Sequence, residues 1–305
     1  MNRHLIRPSG PHTLFSKIAE ALALALGLLL VASLQGCSPK NKGRLSIATS
    51  VFPAYELTRR VAGDDADVTL LVPAEKSTAV FSPSASDRDV IARSRVSIMI
   101  GLGFDSWMET IAKEVAPKGA KLLKVGDRVP TIEEETGKDE APRVDPYVWL
   151  DPSRARLIVK AIAEELSRAD GAHAEAYRKR AEALDATFDA LDKEVEGRTA
   201  VFAKRSFATV HPSFAYFAER YRLHTISLFD ITAPIATSPA VHALEIAKAS
   251  AIFREPGLDA ALAAPIAAEA KLPVGVLDPI GGGPEAASYE ALIRFNLDAL
   301  EKTLR

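Results

Sequence analysis

His211 and Asp278 are the side chains whose type and placement could do chemistry. His211 follows the strand-like run Ser206-Phe-Ala-Thr-Val210 and precedes Pro212; Asp278 follows Val274-Gly-Val-Leu277 and precedes Pro279. In open parallel sheets, ligands collect at the carboxyl ends of strands. An imidazole and a carboxylate at adjacent strand ends can supply two ligands to a divalent or trivalent metal. A hydrogen-bonded histidine and a turn-capping aspartate would look the same, and from pattern alone that structural role is the more economical. His173, His224 and His242 stand singly in helical or strand context and read as surface or satisfied residues. The chain has no G-x-S-x-G elbow, P-loop, H-E-x-x-H or G-x-G-x-x-G, and no nucleophile adjoins the pair. A binding protein is expected, not an enzyme.

The elements that must position these residues alternate. Leu45–Val51, Val68–Val72, Val96–Ile100 and Lys121–Val125 read as strands, separated by helices over Pro53–Val61, Ser86–Ala92 and a segment with Trp107, Ile111 and Val115 on one face. Such alternation predicts a parallel sheet with covering helices. Thr131–Val144, with Glu133, Glu134, Glu135, Asp139 and Glu140 against Lys138 and Arg143, reads as a solvated loop. From Pro152 to about Glu196 the chain is helical, with an Asp151-Pro152 start and a break at Asp170-Gly171. The alternation then resumes through strands at Ser206, Thr225, Ala251 and Val274, helices at Pro212–Tyr221, Pro239–Ala249 and Ala260–Ala270, and a closing helix Tyr289–Leu304. The expected fold class is α/β: two lobes with parallel sheets, a long rigid backbone helix joining them, and a ligand cleft between.

Residues 1–36 are expected to lie outside that fold. Arg3, Arg7 and Lys17 precede the uncharged run Ala21–Leu34, 14 residues long and shorter than the roughly 20 a membrane span requires. It ends in Leu34-Gln35-Gly36-Cys37, which resembles a bacterial lipobox; Cys37 is the only cysteine of the 305 residues. The expected organisation is a signal peptide 1–36, a lipidated tether 37–43, an N-terminal lobe 44–150, a helical segment 151–198 and a C-terminal lobe 199–305. Lys and Arg number 38 against 40 Asp and Glu, so there is no basic excess for nucleic acid.

Seven segments in order resemble one family: Ala48-Thr-Ser-Val-Phe-Pro-Ala-Tyr-Glu, Phe81-Ser-Pro-Ser-Ala-Ser-Asp, Gly101-Leu-Gly-Phe-Asp-Ser-Trp, Asp145-Pro-Tyr-Val-Trp-Leu-Asp-Pro, His211-Pro-Ser-Phe-Ala-Tyr-Phe, Arg254-Glu-Pro and Leu277-Asp-Pro-Ile-Gly. Together they look like the zinc/manganese (cluster A-I) solute-binding lipoproteins of metal ABC transporters. The resemblance implies four metal ligands, two of which depart here. The first, usually His, falls at Ala79; the second, also usually His, is Tyr147; the third and fourth are matched by His211 and Asp278. Glu75 is a candidate substitute donor, and Glu255, at another strand end, is expected to line the cleft or to orient His211.

Three readings follow. The cleft holds a transition metal (Zn, Mn or Fe) through Tyr147, His211 and Asp278, the harder donor set leaning towards Fe³⁺. Or, with the metal site degenerate and Ala79 making room, it takes an organic ligand or a metal chelate. Or the protein is a docking lipoprotein without cargo. The first is the expectation taken forward: a monomeric extracytoplasmic protein, lipid-anchored to the cell envelope, delivering metal to an ABC permease and its ATPase.

Overall fold

The computed structural model describes residues 43–73, 81–134, 143–231, 237–256 and 260–305. Strand β1 (Leu45–Thr49) runs through Ser50 and Val51 into helix α1 (Phe52–Ala62), where Pro53 occupies the first turn, a position that needs no amide donor. A tight turn at Gly63–Asp65, with Gly63 at φ +55°, reverses the chain so that β2 (Ala66–Leu70) pairs with β1 from Leu45↔Ala66 onward. This strand starts two residues before the expected Val68, because the turn ends early. Helix α2 (Ala85–Arg93) opens on a reciprocal cap between Ser84 and Asp87. Then come β3 (Val96–Met99), α3 (Ser106–Val115) and β4 (Lys121–Lys124). All pairings are parallel, in the order β2-β1-β3-β4.

Within the segment expected to be a solvated loop, β5 (Glu133–Glu134) and β6 (Arg143–Val144) instead pair as a short antiparallel ladder. Helix α4 (Pro152–Ala169) starts where Asp151 accepts the Ser153 amide at 2.8 Å. After a turn at Gly171–His173 comes α5 (Ala174–Thr199), 26 residues and therefore about 39 Å long.

The C-terminal lobe repeats the plan: β7 (Ser206–Thr209), α6 (Ala215–Arg220), β8 (His224–Ser227), α7 (Leu228–Ile231), α8 (Thr237–Ile246), β9 (Ile252–Arg254), α9 (Ala260–Ala270), β10 (Val274–Val276) and α10 (Tyr289–Leu304). Its sheet is parallel, ordered β10-β9-β7-β8, which read from the other edge is the strand order of the first lobe. Helix α6 begins three residues after Pro212 instead of at it. Ser213 and Phe214 are drawn into the core as the chain leaves the strand, so regular helix starts only at Ala215.

Helix α5 grips both lobes. Near its start Arg180 donates to Val61 O and Ala62 O (2.7 and 2.8 Å) and pairs with Asp65 at 2.7 Å. Near its end buried Asp192 accepts from Arg220 and from Tyr221 Oη (2.9 Å), while Glu194 meets Arg294 at 2.7 Å. Between them Phe188 packs on Tyr289, ring centroids 4.4 Å apart. One apolar core is continuous from Ile47 and Val96 through Trp149, Phe188 and Tyr289 to Phe207 and Phe253. A spine bonded at both ends, with core running through the lobe junction, favours small relative movements over a wide hinge.

Candidate metal centre

In the C-terminal sheet the direction of winding reverses between β7 and β9, which makes the crevice at their carboxyl ends the natural ligand position. His211 lies two residues beyond β7, and Glu255 directly follows β9. The backbone under His211 is fixed: Val210 N donates to Phe253 O and Phe229 N to Val210 O, both at 3.0 Å. The half-buried His211 ring meets the Phe229 ring at 5.5 Å.

Asp278 lies beyond β10, one strand further out. Asn296 clamps its backbone, accepting from Asp278 N and donating to Asp278 O, each at 2.7 Å. The Asp278 Oδ1 accepts from Ile280 N and Gly281 N at 2.9 Å, so one carboxylate oxygen does cap the following turn. Gly281 sits there at φ +79°, and a Cβ would come within 3.3 Å of Phe52 and Leu292, which requires glycine.

The equivalent crevice of the N-terminal lobe, between β1 and β3, is occupied by protein. Asp105, 1% exposed, accepts from Ile100 N and Gly101 N at 2.7 and 2.8 Å, and burial pushes its carboxyl above the usual range. Tyr147 stands in the Asp145–Pro152 segment, ahead of the helix-starting Asp151. The Tyr147 amide donates to Asp145 Oδ1 at 2.7 Å, and its ring packs against Phe104 (5.4 Å) and Trp149 (5.2 Å). Burial pushes the phenol well above its ordinary value, and the carboxylates of Glu255 and Asp145 push it the same way. Glu255 therefore acts on Tyr147 across the lobe junction. Fully buried Trp149 completes the junction, its indole donating to Pro279 O at 2.7 Å and its carbonyl accepting from Tyr289 Oη at 2.8 Å.

The structure thus ties Tyr147 to Glu255 electrostatically and ties its segment to the turn after Asp278. Among the described residues, no three His, Cys, Asp or Glu side chains stand close enough to hold an ion. Glu75, Ala79 and Cys37 lie outside the described residues. Sequence reasoning did not find Asn296, Asp105, Phe104 or Phe229. Asp105 falls within a motif it quoted, but its amide partners are set by the loop after β3, and the contacts of Asn296 and Phe229 are long-range.

Two α/β lobes of one strand order, a helix bonded to both, and strand ends facing a common junction define a two-lobed solute-binding protein. Its sequence matches the family described as zinc-uptake complex component A, periplasmic (ZnuA), over residues 47–303, and the chain belongs to that family. The zinc-binding lipoprotein AdcA of Streptococcus pneumoniae serotype 4 is 30% identical over 309 residues, covering 94% of this chain and 61% of AdcA. The chain spans about three-fifths of the length of that relative. A crystal structure of ZnuA shares the fold with a TM-score of 0.75 at 22% identity, over 86% of this chain and 100% of the other. A cadmium-bound periplasmic metal-binding protein from Candidatus Liberibacter asiaticus does so at 0.75 and 23%, over 85% and 100%.

Proposed function

We propose that this protein is the extracytoplasmic solute-binding component of an ABC importer, lipidated at Cys37, that takes a transition-metal ion into the interlobe cleft and passes it to a permease driven by an ATPase. The proposed cargo is zinc, with manganese and iron as competitors. Family membership and the zinc-binding relative support the class of cargo. What supports the site is that His211 and Glu255 follow the two strands flanking the C-terminal switch point, and that the Glu255 carboxylate acts on the Tyr147 phenol.

The donor chemistry orders the metals. His211, Glu255 and the second carboxylate oxygen of Asp278 would give one nitrogen and two anionic oxygens, enough to neutralise a divalent ion, with a water or the Tyr147 oxygen as fourth ligand. A phenolate is a good ligand for Fe³⁺, and Tyr147 would have to lose its proton to bind as one. Family membership and the zinc-binding relative put Zn²⁺ first. Among the described residues no three acidic or imidazole donors already converge. That supports a second reading, in which a metal chelate or small organic ligand fills the cleft and Tyr147, His211 and Asp278 hydrogen-bond to it.

Thermal unfolding with and without Zn²⁺, Mn²⁺ and Fe³⁺ tests this. Zinc should raise the Tm of the wild type, and His211→Ala should remove the shift. A shift untouched by His211→Ala takes His211 out of the site, and no shift with any free ion transfers the cleft to the chelate reading.

A further inference from the structure

At the end of the N-terminal sheet opposite the cleft, a pocket of about 320 Å³ is lined by Arg95, Lys118, Lys121 and Arg168, with Glu165 the carboxylate among its lining residues. The four cations are exposed, whereas Glu165 is buried and pairs with Arg168 at 2.5 Å. Arg95 is fixed by donating to Ala169 O at the end of α4, at 2.7 Å. The chain as a whole carries 40 acidic against 38 basic residues, so this patch runs against its net charge.

Backbone bonds place the patch beside the point where the fold begins. Arg95 N donates to Ser46 O in the first turn of the β1 ladder, and Lys121 N donates to Arg95 O, both at 3.0 Å. Two strand spacings, roughly 10 Å, therefore separate Ser46 from Lys121. Eight residue steps separate Cys37 from Leu45, a stretch that reaches at most about 29 Å when fully extended. A lipid on Cys37 thus keeps this end of the lobe close to the bilayer. An anionic surface attracts the exposed cations of the β3–β4 side.

We infer that the face formed by Arg95, Lys118, Lys121 and Arg168 docks the tethered protein on anionic lipid headgroups. This rests on the lipid-anchor part of the proposed function and is independent of the cargo. Basic side chains within a Debye length of an anionic leaflet are each attracted to it, and salt weakens that attraction.

The test uses the full lipidated chain in vesicles of phosphatidylcholine, with or without phosphatidylglycerol, and a water-soluble amine-acylating reagent. Acylation of Lys118 and Lys121, measured against Lys193 on α5, should be severalfold slower with phosphatidylglycerol at low salt and should recover at high salt. Lys118→Glu should weaken the protection of Lys121. Equal labelling on both vesicle types overturns the inference. So does protection by inorganic phosphate on phosphatidylcholine vesicles, which would make the pocket a site for soluble anions. Failure to float with either vesicle would instead break the anchor reading itself.

Discussion

Trp149 is bonded to the C-terminal half twice, its carbonyl accepting from Tyr289 Oη and its indole donating at 2.7 Å to Pro279 O, next to Asp278. Trp149→Phe removes that donor from a site with no solvent exposure, leaving the carbonyl without its partner. The expected loss is about 1–3 kcal/mol of unfolding free energy, read as a shifted urea midpoint, and a weaker hold on metal as the Asp278 turn loosens. An unchanged midpoint would show that Phe104 and the core hold the junction alone. Tyr147 separates the metals. If its phenol stays protonated in the zinc complex, Tyr147→Phe should weaken zinc binding only a few-fold, and iron-loaded protein should lack the visible absorption of an iron–phenolate bond. A strong visible band would reverse the assignment in favour of Fe³⁺.

At the scale of elements, Asp192 on α5 anchors the C-terminal lobe through Arg220 and the Tyr221 hydroxyl. Asp192 is 5% exposed but Arg220 is partly open to solvent, so Asp192→Ala should cost about 2–4 kcal/mol, near the lower end of what breaking a buried pair costs. Urea unfolding checks it, and a loss under 0.5 kcal/mol, the scale of surface substitutions, would mean that α5 does not depend on this bond. The elements themselves were legible because their signals are local. Asp151-Pro152 starts α4, Ser288 caps α10 at Ala291 N, and Ala260–Ala270 and Tyr289–Leu304 have the expected limits. Where tertiary packing outweighs local preference the reading slipped: Pro212 does not begin α6, because burying Ser213 and Phe214 decides the chain's path first. The shared strand order of the lobes was not legible either, since pairing register is long-range and the sequences of the two halves show no repeat. At the site, His211 and Asp278 could be placed at strand ends from hydrophobic pattern and proline alone. That Asn296 clamps Asp278, or that Glu255 acts on Tyr147, depends on contacts no spacing encodes.

For the molecule as a whole, five tyrosines tie stability to alkaline pH. Tyr147, Tyr177, Tyr216, Tyr221 and Tyr289 all have phenols raised by burial first, Tyr216 to about 12 and the buried Tyr289 well above its ordinary value. In the unfolded chain they ionise near pH 10. Above that pH the unfolded state binds fewer protons than the folded one, so stability falls as pH rises. It should therefore be insensitive to these groups below about pH 10 and decline steeply from there upward, with tyrosinate absorbance appearing together with unfolding. Tyrosinate appearing well before the fold is lost would contradict the buried assignment.

The central claim is that the cleft of this chain, with alanine and tyrosine where its relatives are expected to carry ligands, still holds one metal ion. Elemental analysis of the domain starting at Ser38, purified without chelator or a histidine tag, loaded with a mixture of zinc, manganese and iron and then desalted, tests it most directly. The account predicts close to one zinc per chain in the wild type and none in His211→Ala. A wild-type protein that emerges without metal would contradict it, and would give the cleft to an organic ligand or a chelate.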